Sequence, residues 1–186
     1  MDRRCQAIVD ALGGNPDDVR FVRAPGRVNL IGDHTDYNDG LCLPVAIDRD
    51  CVVGAVAGRD GRLRAESLDT ADRVDLLTGA MLSAPGSGWG RFVAAATQVV
   101  SERTGPVPGV DLAVASTVPI GAGLSSSAAL CVALISALSG SPTSDSGRIE
   151  LACAARDVEV LATGVPVGVM DQLASVFGRR DAALLV

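Results

Sequence analysis

Two stretches of this 186-residue chain concentrate residue types that can do chemistry. The first, Pro119-Ile-Gly-Ala-Gly-Leu-Ser-Ser-Ser-Ala-Ala129, places two glycines and three hydroxyls where a strand pattern gives way to a helix rich in Ala and Leu. Glycine lets backbone approach an anion closely. A helix N-terminus adds free N–H donors and about half a positive charge, so this loop can hold a phosphate. The same residues would also serve as a serine helix cap and a tight turn. The second stretch, residues 24–40, gathers Arg27, Asp33, His34 and Asp36 among Gly, Asn and Thr. A ligand with several neighbouring hydroxyls needs such charged, directional donors and acceptors, held by backbone turns. The plain alternative is a surface turn with a structural histidine.

Missing residue types narrow the chemistry further. All sixteen basic residues are Arg, which excludes the G-x-x-x-x-G-K-[ST] phosphate loop, Schiff-base chemistry and a lysine base. His34 is the single histidine, so a multi-histidine metal site is excluded and a Ser-His-Asp hydrolase disfavoured. A net charge of −6, with one Trp, one Tyr and three Phe, lacks the basic stripe and stacking platforms of a nucleic-acid binder. Five cysteines without a C-x-x-C pair, mostly in apolar runs, read as reduced core thiols and a cytoplasmic setting. Residues 1–10 lack the continuous apolar core of a secretory signal. Residues 124–138 are apolar but shorter than the ~20 residues a membrane span needs, and read as a buried helix.

These loops need elements to position them. Cys5, Ile8, Val9 and Leu12, followed by Gly13 and Gly14, predict a first helix. A strand is expected at 21–24, a loop at 25–40, then strands at 41–47 and 51–57 with a turn at 48–50, and shorter strands at 63–67 and 74–77. Together they suggest an antiparallel meander. A helix over 89–100, a half-buried strand over 110–114, helices over 146–162 and 170–177, and a strand beginning at 182–186 complete the reading. No internal repeat, Pro-rich linker or like-charge block divides the chain, so one domain is expected, over residues 1–178.

The glycine–serine undecapeptide is similar to the second signature of the galactokinase, homoserine kinase, mevalonate kinase and phosphomevalonate kinase (GHMP) superfamily. Residues 24–40 resemble the galactokinase signature over its full length. The fold this implies is α+β: the GHMP-kinase N-terminal domain, ribosomal protein S5 domain 2-like, with a mixed or antiparallel sheet covered by helices. The activity it implies is transfer of the terminal phosphate of ATP to the anomeric hydroxyl of D-galactose, giving α-D-galactose 1-phosphate. By the same resemblance, Asp33, His34, Asp36, Gly168 and Asp171 contact the sugar and Arg27 stands beside the reacting oxygen. Many relatives carry Glu at the place of Asp33, and the shorter side chain would reach its hydroxyl through water.

Gly164-Val-Pro-Val-Gly-Val-Met-Asp-Gln-Leu173 resembles the segment that supplies the catalytic aspartate, here Asp171. The resemblance assigns ATP to Pro119, Gly121, Ala122, Gly123, Leu124, Ser125, Ser126 and Ser127. It assigns Mg²⁺, a cation of hard oxygen ligands, to Ser127 and to Glu159, twelve positions before Asp171. Tyr37, which could wall the pocket, Asn29, which could tie the loop backbone, and Trp89, which matches a position near adenine, are kept outside this set. Galactokinases are roughly twice this length. Residues 179–186 then read as the start of a second domain that packs on this one, and the chain alone is expected to be poorly soluble and to turn over little. Rival readings are a GHMP kinase for another small sugar or alcohol, and a non-catalytic galactose and ATP sensor on the same scaffold. The intact serine run, Glu159 and Asp171 argue against the sensor.

Overall fold

A computed structural model describes residues 2–78 and 88–186. Helix α1 (Arg3–Leu12) starts where the Asp2 carboxylate accepts the Arg4 amide at 3.2 Å, and it ends on Gly13 in the left-handed conformation, φ 61°. After a 3₁₀ turn (Pro16–Asp18), five strands form one sheet: β1 (Arg20–Asn29), β2 (Pro44–Ala57), β3 (Arg62–Ser67), β4 (Arg73–Leu77) and β5 (Val110–Ser116). Helix α2 (Gly90–Thr104) precedes β5, while α3 (Ser126–Ser139), α4 (Asp145–Thr163) and α5 (Met170–Phe177) follow it.

The sheet order is β1-β2-β5-β3-β4, with β5 parallel to β3 and the other pairs antiparallel. The sheet is therefore mixed, as expected, but the simple meander is not formed, because β5 inserts between β2 and β3. The expected turn at 48–50 is also absent: β2 runs unbroken through Asp48, Arg49 and Asp50. Asp50 accepts hydrogen bonds from Arg4 and, at 3.0 Å, from Arg23, so charges that read as a turn are satisfied within a strand. Opposite them, the β1 register shifts between Pro25 and Arg27, a bulge at a proline that has no amide to give. The expected strand at 182–186 is an extended segment paired inside the chain: Cys42 and Val186 exchange backbone bonds of 3.0 Å, and Leu184 donates to Pro44 at 2.9 Å.

Alternation along the strands sorts side chains to two faces. Val52, Ala113 and Ala115 meet Ile8, Val9 and Val19 beneath α1. Gly54 lets α1 lie flat, since a Cβ there would stand 2.2 Å from Ile8 Cγ2. Cys51, Val53, Leu112 and Val114 face the helical layer with Phe92, Ala129, Ala133 and Val158. Alanines at 128, 129, 133 and 137 are fully or nearly fully buried, and these small side chains bring the α3 backbone close to the sheet. That seats the α3 N-terminus beside the end of β1. Among the described residues no helix is long and apolar enough to cross a membrane, and the apolar stretch 124–138 is mostly the buried helix α3, with Leu124 and Ser125 in the loop before it.

Candidate active site

The sequence suggested that 25–40 is all loop, but β1 extends to Asn29, so Arg27 stands on a strand. Its neighbour Gly26 has no room for a side chain: a Cβ would lie 2.6 Å from the Leu124 carbonyl oxygen. The Arg27 amide donates to that oxygen at 3.2 Å and Arg27 Nη1 donates to the Gly123 carbonyl at 2.8 Å, which stitches β1 to the glycine–serine loop. The rest of the guanidinium meets Asp171 in a bidentate pair, Nε to Oδ1 and Nη2 to Oδ2, both at 2.7 Å. Both side chains are largely buried. Charge-assisted paired bonds of this kind fix orientation as well as proximity.

The glycine–serine loop has the backbone its sequence implied. Gly121 and Gly123 take φ of 73° and 71°, and Ser125 takes the left-handed region at φ 56°, uncommon for a residue with a side chain. Ser125 is the N-cap residue of α3, yet its hydroxyl donates to Asp171 Oδ2 rather than to a first-turn amide. The Ser127 hydroxyl donates to Glu159 Oε1 at 2.5 Å. The plain capping reading therefore does not describe Ser125 or Ser127, and the α3 N-terminus has no side-chain cap. Gly123 lines the cleft described below, whereas Pro119, Gly121 and Ala122 lie exposed on the turn outside its lining.

Glu159, about one turn before the end of α4, accepts from Ser127 on one oxygen and from Gln172 Nε2 on the other, at 2.6 Å. Burial pushes its carboxyl above the ordinary glutamate value of 4.5, partly offset by the Ser127 bond, while the nearby Asp171 charge adds to the rise. A hydroxyl and a carboxylate in contact are hard oxygen donors that fit Mg²⁺, with other ligands left to phosphate and water. No cluster of three or more His, Cys, Asp or Glu side chains suited to a metal occurs among the described residues.

The loop after β1 closes the opposite end. Asp36 Oδ2 accepts the Met170 amide at 3.2 Å, so a residue 134 positions away serves the first turn of α5, which its own N-cap residue, Val169, leaves uncapped. Gly168 makes this approach possible: a Cβ there would stand 1.8 Å from Asp36 Oδ2. Asn29 Nδ2 donates to Asp33 Oδ1 at 2.7 Å, and His34 Nδ1 meets the Tyr37 hydroxyl. Two of the three residues set aside at first thus hold the ones selected: Asn29 ties a side chain, not the backbone, and Tyr37 orients an imidazole. His34 sits at φ 62° and its carbonyl accepts from Asn38 at 2.8 Å.

One cleft of about 730 Å³ joins these parts. Arg27, Asp33, His34, Asp36, Gly168 and Asp171 all line it, and Glu159 stands in its wall. Sequence reasoning missed Gln172, the neighbour of Asp171, and missed the bond from Ser125 to Asp171. The adjacency of Gln172 to the proposed base was the available signal. Trp89 packs against the hydrophobic core at the start of α2, at the boundary of the described residues.

The fold and the glycine–serine loop together define a class, the GHMP kinases. Residues 91–179 match the family model described as the GHMP kinases N terminal domain. The mevalonate kinase of Methanococcus jannaschii shares this fold, with a TM-score of 0.76 at 19% identity over 90% of this chain and 53% of that one. Residues 10–56 match the model described as the galactokinase galactose-binding signature. A galactokinase of Roseiflexus sp. is 43% identical over 166 residues, covering 89% of this chain and 42% of the relative. The crystal structure of Lactococcus lactis galactokinase complexed with galactose superposes with a TM-score of 0.86 at 25% identity, over 98% of this chain and 48% of that one. The chain belongs to the galactokinase family, and spans less than half the length of these two galactokinases.

Proposed function

We propose that this chain supplies the sugar- and nucleotide-binding part of a kinase that moves the terminal phosphate of ATP to the anomeric hydroxyl of D-galactose. The observation that carries the reading is the Arg27–Asp171 pair, set between the glycine–serine loop and the Asp33–His34–Asp36 loop. The family match and the galactose-bound relative support the choice of sugar. Asp33, His34, Asp36 and the Gly168 backbone would hold the hydroxyls, with the shorter Asp33 reaching its partner through water. Backbone amides from Gly121 to Ser127 would cradle the phosphates at the uncapped start of α3.

Phosphoryl transfer leaves a protein little covalent work, so alignment and charge stabilisation carry the rate. Asp171 would take the proton of the anomeric hydroxyl as that oxygen bonds to the terminal phosphorus, the phosphorus–oxygen bond to ADP breaks, and ADP leaves. Arg27, already paired to Asp171, would offset negative charge on the attacking oxygen. Ser127 and Glu159 would hold Mg²⁺, which when bound with ATP supplies charge neutralisation across the phosphates.

Leu30, Ile31, Leu41 and Leu185 are large apolar side chains, each at least 61% exposed, on and beside the loop that closes the cleft. A second domain that opens at residues 179–186 would cover this surface, as the relatives' greater length suggests. The buried thiols of Cys42, Cys51 and Cys131 support a cytoplasmic setting; burial, helped by the nearby Asp69 and Asp50 charges, pushes Cys51 up to about 12. Calorimetric titration with galactose, then with ATP and Mg²⁺, tests the function: both should bind, each without displacing the other. A preference for homoserine, mevalonate or arabinose over galactose would replace the substrate.

A further inference from the structure

Gln172 is 0% exposed, yet it carries an amide. Its Nε2 donates to Glu159 Oε2 at 2.6 Å, and its Oε1 has no partner among the described residues. An unmade hydrogen bond on a buried polar group costs about 1–3 kcal/mol, which an apolar side chain of the same shape would avoid. The amide therefore stands against the preference of the core, and its one side-chain hydrogen bond among the described residues goes to Glu159.

Successive helical residues project about 100° apart, which sends Asp171 toward Arg27 and Gln172 toward α4 from a single turn of α5. Glu159 is thus gripped on both oxygens, by Ser127 and by Gln172, and the plane of its carboxylate is set. A neutral donor suits this place. A lysine would neutralise the carboxylate in place of a cation, and a second carboxylate would repel it. We propose that Gln172 is a positioning residue that orients Glu159 toward the divalent cation accompanying the nucleotide, and so sets how strongly ATP binding depends on magnesium. The inference rests on the kinase reading above.

The test is calorimetric titration of ATP into the 186-residue chain, once with magnesium chloride and once with EDTA, alongside a galactose titration. Gln172→Met fills the same volume and donates nothing. It should cut the affinity gained from magnesium about tenfold, the lower end of the ~10–100-fold typical for groups that orient metal ligands. Affinity for ATP in EDTA and for galactose should stay unchanged. Combined with Glu159→Gln, it should lower the gain no further than Glu159→Gln alone. A merely structural glutamine would lower the unfolding temperature and leave the magnesium gain whole, and that result overturns the proposal. Should Gln172→Met fail to fold, Gln172→Leu also removes the donor, with a side chain of nearly the same volume, and must show the same loss. A wild-type chain with no magnesium gain defeats the kinase reading and this proposal together; a wild-type gain that survives in the variant defeats this proposal alone.

Discussion

Arg27 and Asp171 stand on a strand and a helix, whereas Asp33, His34 and Asp36 stand on a loop. The first pair is held by a bidentate ion pair, by the Gly123 carbonyl and by Ser125. The loop is held by a few local bonds, by the pairing of Cys42 with Val186, and by the reach of Asp36 to the Met170 amide. The end of the cleft where a phosphate would move is thus built on rigid elements, and the end that would recognise a sugar is built on side chains that lean on one another. Disturbing the first should cost stability and transfer together. Disturbing the second should cost ligand recognition while the fold survives.

The sharpest way to break this contrast is Gly168→Ala. A methyl group there must push Asp36 away from α5. Overpacking of this kind costs about 1–3 kcal/mol, so galactose binding measured by calorimetry should weaken up to roughly a hundredfold. Next in size is Arg27→Ala, which leaves the partly buried Asp171 carboxylate without its partner. A loss of about 2 kcal/mol in urea unfolding is expected, and Arg27→Lys, lacking the planar fork, should recover less than half.

Ser125 gives a finer comparison. Ser125→Ala should cost about 1 kcal/mol by removing the bond to Asp171 from a strained backbone position, and Ser125→Gly should cost less because φ 56° suits glycine. The smallest effect concerns pH. Because burial raises the Glu159 carboxyl in the folded chain, its contribution to stability is full below the ordinary value of 4.5 and is lost as pH rises through the raised folded value. Glu159→Gln should remove that dependence. Its unfolding temperature should therefore gain on the wild type across that rise and then hold a constant lead.

How much of this was legible beforehand varied with range. The two signature stretches were readable because each packs its chemistry into a dozen or so neighbouring residues, and the cleft does gather Arg27, Asp33, His34, Asp36, Gly168 and Asp171. Helix bounds at α4 and α5 lay within a residue or two, since caps and apolar spacing are local signals. Strand order was not readable. The placement of β5 between β2 and β3 depends on pairing across more than 40 residues, which no local pattern records. The unbroken course of β2 through Asp48–Asp50 was hidden for a related reason, because the arginines that satisfy Asp50 come from α1 and β1. Asp36 as a cap for α5 and Gln172 as a brace for Glu159 are likewise contacts between segments, so their residue types alone gave no hint of either role.

In a working site Arg27 and Asp171 must face a sugar and a nucleotide in one cleft. A crystal structure of the chain with galactose and a non-hydrolysable ATP analogue tests this most directly. The anomeric oxygen is expected within hydrogen-bond distance of Asp171, with the terminal phosphate beside it and the other phosphates on the amides before α3. A sugar bound away from Asp171, or a nucleotide that leaves the glycine–serine loop empty, would contradict it.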